Sequence, residues 1–409
     1  MIFDMTDKSF AIAFFSTLLL TACGGGGAGS GNNNNNNQNN NSSSATELQS
    51  TNPESKRLPD EIPGPANGEN EPLVVSNEVP AALLVNNEIS MARTQCGLNG
   101  LSVDAALDDI AIQHANYIKH VFTSATPTKF NPHLENKIAD IVEVTGENNP
   151  FFSGVEFKDR LLKAGYPNLR YGVAENISRP MYYTSAGNIE DVKSEVVAHS
   201  MVKSLLAAPY HLRSLMIPAS SLTGTSVTSY TPFGKNANNY KDYILVNHTA
   251  ATSVTRNTKV EGVFTYPCQG ITNTITALYN ETPNPFAGTG RNLRLNPIGQ
   301  PIYINVPSAQ KIEVSNISFY DVERNIKIPT LLLDHRQDPH KDTLYELPAN
   351  EAFILPLTDA LNSCKAVSKQ RGNCGLYSDS EYQVSFDVLI DSNNLQSQAF
   401  TFKTGNVND

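Results

Sequence analysis

Apolar positions change their spacing along this chain, and each change announces a different kind of structure. From 10 to 20 they run almost unbroken behind Lys8. That length suits the hydrophobic part of a secretion signal and is too short to cross a bilayer. From 24 to about 80 the periodicity vanishes: glycines fill 24–27, asparagines fill 32–37 and 39–41, and six prolines follow between Pro53 and Pro80. Such a stretch buries too little apolar surface to fold and reads as a tether. Helical spacing then sets in. Asp104 is a candidate N-cap, and Leu107, Ile110, Ala111, His114, Ile118 and Val121 recur every three or four residues, which predicts a helix over 105–122. A second helix is predicted over about 156–164, with Phe157 and Leu161 on one face and Gly165 as its stop. A third is predicted over about 189–207, ending before Pro209. On it Val192, Glu195, Val196 and His199 share one face, and Val197, Met201 and Leu205 form a second stripe, so the helix should be covered on more than one side. The stretches 226–230 and 243–246 read as strands. From Val260 onward short strands alternate with turns, at 300–306, 311–320, 351–357, 381–391 and 398–404. Tyr382, Val384, Phe386, Val388 and Ile390 alternate strictly, as a half-buried strand requires.

Composition narrows the setting. The net charge is −10 and there is no basic run, which argues against a nucleic-acid partner. Without signal and tether about 320 of the 409 residues remain, enough for two domains of ordinary size. The apolar run ends in Leu20-Thr21-Ala22-Cys23 followed by Gly24, which resembles a bacterial lipobox. In that motif the signal is cut before the cysteine and the thiol is acylated, so Cys23 is the expected lipid attachment point. Several acyl chains on one residue anchor stably where a single chain is marginal. Gly24 after the cysteine points, by analogy with lipoprotein sorting, to the outer membrane. Four further cysteines, Cys96, Cys268, Cys364 and Cys374, imply disulfides in an exported chain. Three pairings are open, and Cys96–Cys268 with Cys364–Cys374 is favoured. The second bridge would close a short polar loop, and the first would staple the start of one folded region to the start of the next. No Cys-x-x-Cys spacing suggests metal instead.

Four separated motifs carry the candidate chemistry: Asn131-Pro132-His133-Leu134-Glu135, then the run 159–166 containing Arg160 and Ala164-Gly165-Tyr166, then Ala174-Glu175-Asn176-Ile177, then Pro209-Tyr210-His211-Leu212-Arg213-Ser214-Leu215. Their order resembles the bacterial branch of the CAP superfamily (cysteine-rich secretory, antigen 5 and pathogenesis-related 1 proteins, also called SCP domains), over residues 88–255. The C-terminal ending, with Tyr382, Val384 and 400–405, resembles the last two strands of bacterial immunoglobulin-like domains. The resemblances imply an α+β chain: a CAP-type α–β–α sandwich followed by an all-β immunoglobulin-like sandwich. The expected organisation is a lipoprotein signal at 1–22, a tether at 23–85, a CAP-like domain at 86–256 and the sandwich at 257–409.

In better-known CAP branches two histidines and two glutamates converge in a groove and can hold a divalent metal. The resemblance places His133, Glu175 and His211 at three of those positions, and Glu195, upstream of His211, is the candidate for the fourth. Imidazoles with one or two carboxylates and an open coordination site suit zinc, whose bound water could act as a nucleophile. Each residue also has a plainer reading. Glu175 could cap backbone amides, Glu135 competes with His133 for the same position, and Glu195 with His199 could be a solvated helical pair. His114 is either a buried histidine bonded to backbone or a residue lining the cleft from beneath. Gly146-Glu147-Asn148 reads as a loop, Arg213 as the partner of a carboxylate, and His335 and His340 as loop residues. The chain departs from the family in having Ala174 in place of glycine and no tryptophan before the His211 motif, where His199 or Ser200 stands.

No Gly-x-Ser-x-Gly elbow, no His-Glu-x-x-His and no phosphate-binding glycine loop is present. The preferred expectation is an anchored cell-envelope binding protein whose groove takes a lipidic, glycan or peptide ligand. The alternative is a metal-assisted hydrolase acting on peptide or envelope substrates, and a third reading is a structural surface protein with a vestigial groove. Fold alone does not decide among them.

Overall fold

The computed structural model describes residues 75–184, 189, 192–253, 262–364 and 373–406, together with the backbone of 15–20. The chain is mixed α and β with several antiparallel sheets. The acylation candidate Cys23, the expected tether as far as 74 and the expected domain boundary at 256–257 lie outside the described residues.

A six-stranded sheet forms the middle of the N-terminal half. Its strands are β1 (Phe15–Leu20), β2 (Ser102–Val103), β3 (Val173–Ser178), β4 (Met181–Tyr183), β5 (Ser220–Tyr230) and β6 (Tyr240–Ala251). The order is β1-β3-β6-β5-β2, and β4 also pairs with β6. Five helices flank it: α1 (Val79–Gln95), α2 (Ala105–Ser124), α3 (Phe157–Lys163), α4 (Ser194–Leu205) and α5 (Pro209–Leu215). Strand alternation sorts the two faces. Ile177, Ile244 and Val246 pack against Ala111, Ala115, Ile118 and Val121 of α2, and Val173 and Ala250 pack against Phe157 and Leu161 of α3. Val227, Tyr243 and Leu245 point the other way, toward α1, α4 and α5. Gly224 lets α2 lie close on β5, because a Cβ there would stand 2.2 Å from the Leu107 carbonyl carbon.

The predicted helix over 105–122 is α2, and the Asp104 side chain accepts from the Leu107 N–H as an N-cap should. Gly165 ends α3 at φ +67°, a conformation that glycine adopts readily. One boundary moves: the tether was expected to reach 85, but α1 begins at Val79. Its buried residues Ala81, Ala82, Val85, Ile89 and Ala92 hold helical spacing, and Pro80 sits in the first turn, where proline is tolerated.

The C-terminal half is two four-stranded antiparallel sheets. One contains β7 (Phe264–Tyr266), β8 (Ile302–Asn305), β11 (Thr330–Asp334) and β12 (Glu351–Pro356) in the order β11-β12-β8-β7. The other contains β9 (Ile312–Asp321), β10 (Ile326–Lys327), β13 (Glu381–Ile390) and β14 (Asn394–Lys403) in the order β10-β9-β13-β14. Ile302, Ile304, Ala352 and Ile354 of the first sheet share a core with Phe319, Val384, Phe386, Phe400 and Phe402 of the second. The opposite face of the first sheet is buried too: Tyr303, Phe353, Leu355 and Phe264 join Leu205, Tyr210, Leu212 and Leu215 of the N-terminal half in one core. The two halves are therefore packed together through α4 and α5. The disulfide Cys96–Cys268 ties the end of α1 to the segment after β7, and Cys364–Cys374 closes a local loop. Among the described residues no helix is long and apolar enough to cross a membrane.

Candidate functional site

The charged side chains of the N-terminal half converge on one face of the central sheet. Glu175 points from β3 toward α2 and α3, and His248 stands directly opposite it on β6. Arg160 Nη2 donates to both carboxylate oxygens of Glu175, at 2.9 and 2.7 Å. His133 Nδ1 donates to Oε1 at 2.8 Å, and His248 Nε2 donates to Oε2 at 3.0 Å. Arg160 Nη1 also reaches the His133 carbonyl at 3.2 Å, which fixes the loop after α2 against α3. The Phe157 ring covers His248, with centroids 4.4 Å apart.

Glu135 forms a second carboxylate centre behind the first. It accepts from the Ser153 N–H at 2.6 Å, the Gly154 N–H at 3.2 Å and His114 Nδ1 at 2.8 Å. The other ring nitrogen of His114 donates to the Pro132 carbonyl at 2.7 Å. Both nitrogens of His114 thus face acceptors. Arg160 stands between the two carboxylates, 2.7 Å from Glu175 and 4.0 Å from Glu135, and such pairing is the condition for burying charge at tolerable cost. All six side chains are at most 1% exposed. His114 accordingly fits the reading of a buried histidine bonded to backbone, through the Pro132 carbonyl, and it lies 4.0 Å from Glu175.

The electrostatics agree with the hydrogen bonds. Burial works to raise the Glu175 carboxyl, but Arg160 and the surrounding histidines outweigh it and hold the group well below the usual carboxylate range. Burial lowers His133 and His248 against the pull of Glu175. Both are therefore neutral imidazoles donating one N–H each to a carboxylate that is already paired.

His211 lies elsewhere. Side chains alternate along β3, so Asn176 points to the face opposite Glu175, and there it accepts from Ser214 of α5. On that side Glu281, from the C-terminal half, accepts from the Tyr210 N–H at 2.8 Å, the His211 N–H at 3.4 Å and His211 Nδ1 at 3.3 Å. Tyr210 Oη donates to Asp338 at 2.8 Å, and Arg213 Nε donates to Glu351 at 2.6 Å. The His211 motif is thus the joint between the two halves, and Arg213 pairs with a carboxylate as expected. Burial pushes Glu281 well above the usual carboxylate range against the two backbone N–H groups that oppose the shift.

The expected quartet does not converge. His133 and Glu175 meet, His211 is on the other face of the sheet, and Glu195 is exposed on the first turn of α4. The physical reason is the strand period of two, which sends neighbours 175 and 176 to opposite sides. Among the described residues no group of three or more His, Cys, Asp or Glu side chains is placed to hold a metal ion. The donor chemistry explains it for Glu175: both oxygens are held by the Arg160 guanidinium, and a zinc ion binding there would have to displace that cation. Arg160 and His248 were not singled out as site residues in the sequence. The one available signal for His248 was an imidazole closing the apolar run 243–246 of a strand.

No protein-family model matches the chain, and no curated protein is similar to it.

Proposed function

We propose that the chain is a lipid-anchored cell-envelope protein of CAP-superfamily type that works by binding a ligand rather than by turning over a substrate. In this reading Cys23 carries the anchor, the tether follows it and ends before Ser76, whose N–H already bonds to Asn116 of the body, and the fused body is held off the outer membrane. The C-terminal sandwich is immunoglobulin-like and serves as the support on which α5 is docked. The ligand is lipidic, glycan or peptide. The observation that carries the reading is the closure of the Glu175 cluster. A carboxylate held by Arg160 and two neutral histidines in a solvent-free core holds the fold together. A zinc hydrolase needs the opposite, an open coordination position facing substrate.

The test is turnover of peptide and ester substrates by the zinc-supplemented protein, run beside Glu175→Gln and with zinc calorimetry on both. The expected result is no zinc-dependent turnover and no stoichiometric zinc heat. Turnover that Glu175→Gln abolishes while its circular dichroism spectrum stays unchanged would establish the hydrolase instead.

A further inference from the structure

Helix α1 presents an uncharged face to solvent. Of its 17 residues only Glu88 and Arg93 are charged, and both turn away from that face. Arg93 is fully buried and donates to the carbonyls of Asn99, Leu215, Ile217 and Ser220. Glu88 reaches sideways to His199 of α4, 2.5 Å away. Every exposed residue of the helix, from Val79 to Gln95, is therefore uncharged, in a chain of net charge −10. Val79, Leu83 and Met91 are each at least half exposed, and so is Val196 on α4, which packs beside α1. Single exposed apolar residues are ordinary, but a contiguous apolar patch on a soluble body marks a contact surface. A solvated helix face carries charge, whereas the core of an interface is depleted of charge and enriched in methionine.

The order of residues on this face indicates what covers it. Leu83, Asn87 and Met91 follow one another at four-residue spacing, so they form one stripe. Its polarity is apolar, amide, apolar, and it reads the same in both directions about Asn87. A second α1 laid antiparallel across it, with a two-fold axis at Asn87, sets Leu83 of each copy on Met91 of the other. The same axis brings the two Asn87 carboxamides together, and each can donate to and accept from its counterpart. An axis at position 85 would instead set Leu83 on Asn87 and bury an amide against an apolar side chain, at a cost. A central asparagine that pairs only with itself fixes register in this way in helical dimers. The charge pattern agrees, because two bodies of net charge −10 meet here without opposing like charges. Other occupants fit less well. The segment 24–74 carries its few large apolar residues among prolines, glycines and glutamates and offers no uninterrupted helical stripe. Helices that lie on membranes set lysine and arginine along the polar border of their apolar face, and the one arginine of α1 is buried.

We propose that the protein pairs with a second copy of itself through α1, as an antiparallel two-fold dimer whose axis passes at Asn87. The pairing is independent of the ligand-binding reading above. One helix from each copy makes a small interface, at the low end of the usual range of about 1,200–2,000 Å², so the expected dissociation constant is about micromolar.

The test is sedimentation equilibrium of the full chain in a density-matched non-ionic detergent, over about 1–200 µM, a range that brackets the expected constant. Leu83→Glu and Met91→Glu are run beside the wild type. Asn87→Cys is oxidised mildly beside the wild type and Val142→Cys, a control for random collision at an exposed site on the segment 139–144. The expected result is a reversible monomer–dimer equilibrium that Leu83→Glu weakens about a hundredfold, tenfold for each copy it strikes, with an unchanged circular dichroism spectrum. Asn87→Cys should join to its own counterpart as a covalent dimer, while the wild type and Val142→Cys stay single. Should Leu83→Glu fail to fold, Met91→Glu gives the same reading. A monomer across the whole range overturns the proposal. So does a dimer that both glutamate variants leave intact, or crosslinking of Val142→Cys equal to that of Asn87→Cys. A monomer that binds lipid vesicles through Leu83 would overturn it in favour of a membrane contact.

Discussion

Replacing Arg160 by methionine tests whether the Glu175 cluster is a structural lock. The substitution keeps most of the side-chain volume and removes the guanidinium that holds both carboxylate oxygens, at 2.9 and 2.7 Å, and the His133 carbonyl at 3.2 Å. Glu175 then remains fully buried, held only by the His133 and His248 imidazoles and with His114 4.0 Å away. Breaking a buried pair by removing one partner costs about 3–5 kcal/mol, because an uncompensated charge is left behind. A domain of this size has roughly 5–15 kcal/mol of stability to lose, and each kcal/mol moves the melting point by about 2–4 °C. Arg160→Met should therefore melt roughly 6–20 °C below the wild type, followed by far-UV circular dichroism. The double variant Arg160→Met/Glu175→Leu removes both charges and should recover a large part of that loss, since a matched pair and an apolar pair are close in free energy. A melting point within about 2 °C of wild type for Arg160→Met would refute the reasoning. Glu175 would then be solvated, and the cleft would be open to metal and substrate.

Three further outcomes follow from the packing. Gly224→Ala brings a Cβ within 2.2 Å of the Leu107 carbonyl carbon and 2.4 Å of the Asp108 nitrogen, so α2 must lift from the sheet. Urea unfolding should register a loss of about 3 kcal/mol. Cys96→Ser/Cys268→Ser opens a loop of 172 residues, for which the chain-entropy estimate is about 5 kcal/mol, and a stability change under 1 kcal/mol would show that α1 and β7 are held by packing alone. Glu281→Gln should change the pH dependence. Glu281 is raised in the folded state, so its contribution is complete below its unfolded value near 4.3 and is lost as pH rises toward the folded value, at up to about 1.4 kcal/mol per pH unit. The wild type should therefore lose stability relative to Glu281→Gln between pH 5 and 8. His133 and His248 act in the opposite sense: their lowered values make the fold lose stability as pH falls below about 6.5, equally in both proteins. Parallel pH profiles for the two proteins would rule out a buried, uncompensated Glu281.

Local pattern carried a good part of this architecture. The helix at 105–124, the glycine stop at Gly165 and the alternating strand at 381–390 are set by spacing within a few residues of each other, and local spacing is visible in one dimension. The disulfide partners were among three possible pairings, and the short Cys364–Cys374 loop made its own pair natural. The first helix was obscured because its opening residues follow a proline-rich run and its large apolar side chains are split between buried and exposed sides, with Val79, Leu83 and Met91 exposed. Val79–Gln95 is held by packing against α4 and β5 rather than by an obvious amphipathic stripe.

The site divides along the same line. The sequence reading, through a family resemblance, expected His133 and Glu175 near each other, and the two side chains do meet. What it could not decide is which face of a strand each residue uses once the sheet is assembled. A period of two separates Glu175 from Asn176, and with them His133 from His211, although the sequence reading expected His133, Glu175 and His211 in one cleft. Nor could it place Arg160 and His248 on the carboxylate, or bring Glu281 from the C-terminal half onto His211. Those contacts join residues 15, 73 and 70 positions apart, respectively. Only the folding of α3, β6 and the C-terminal sheets against one surface creates them, and only that folding closes the cluster to water.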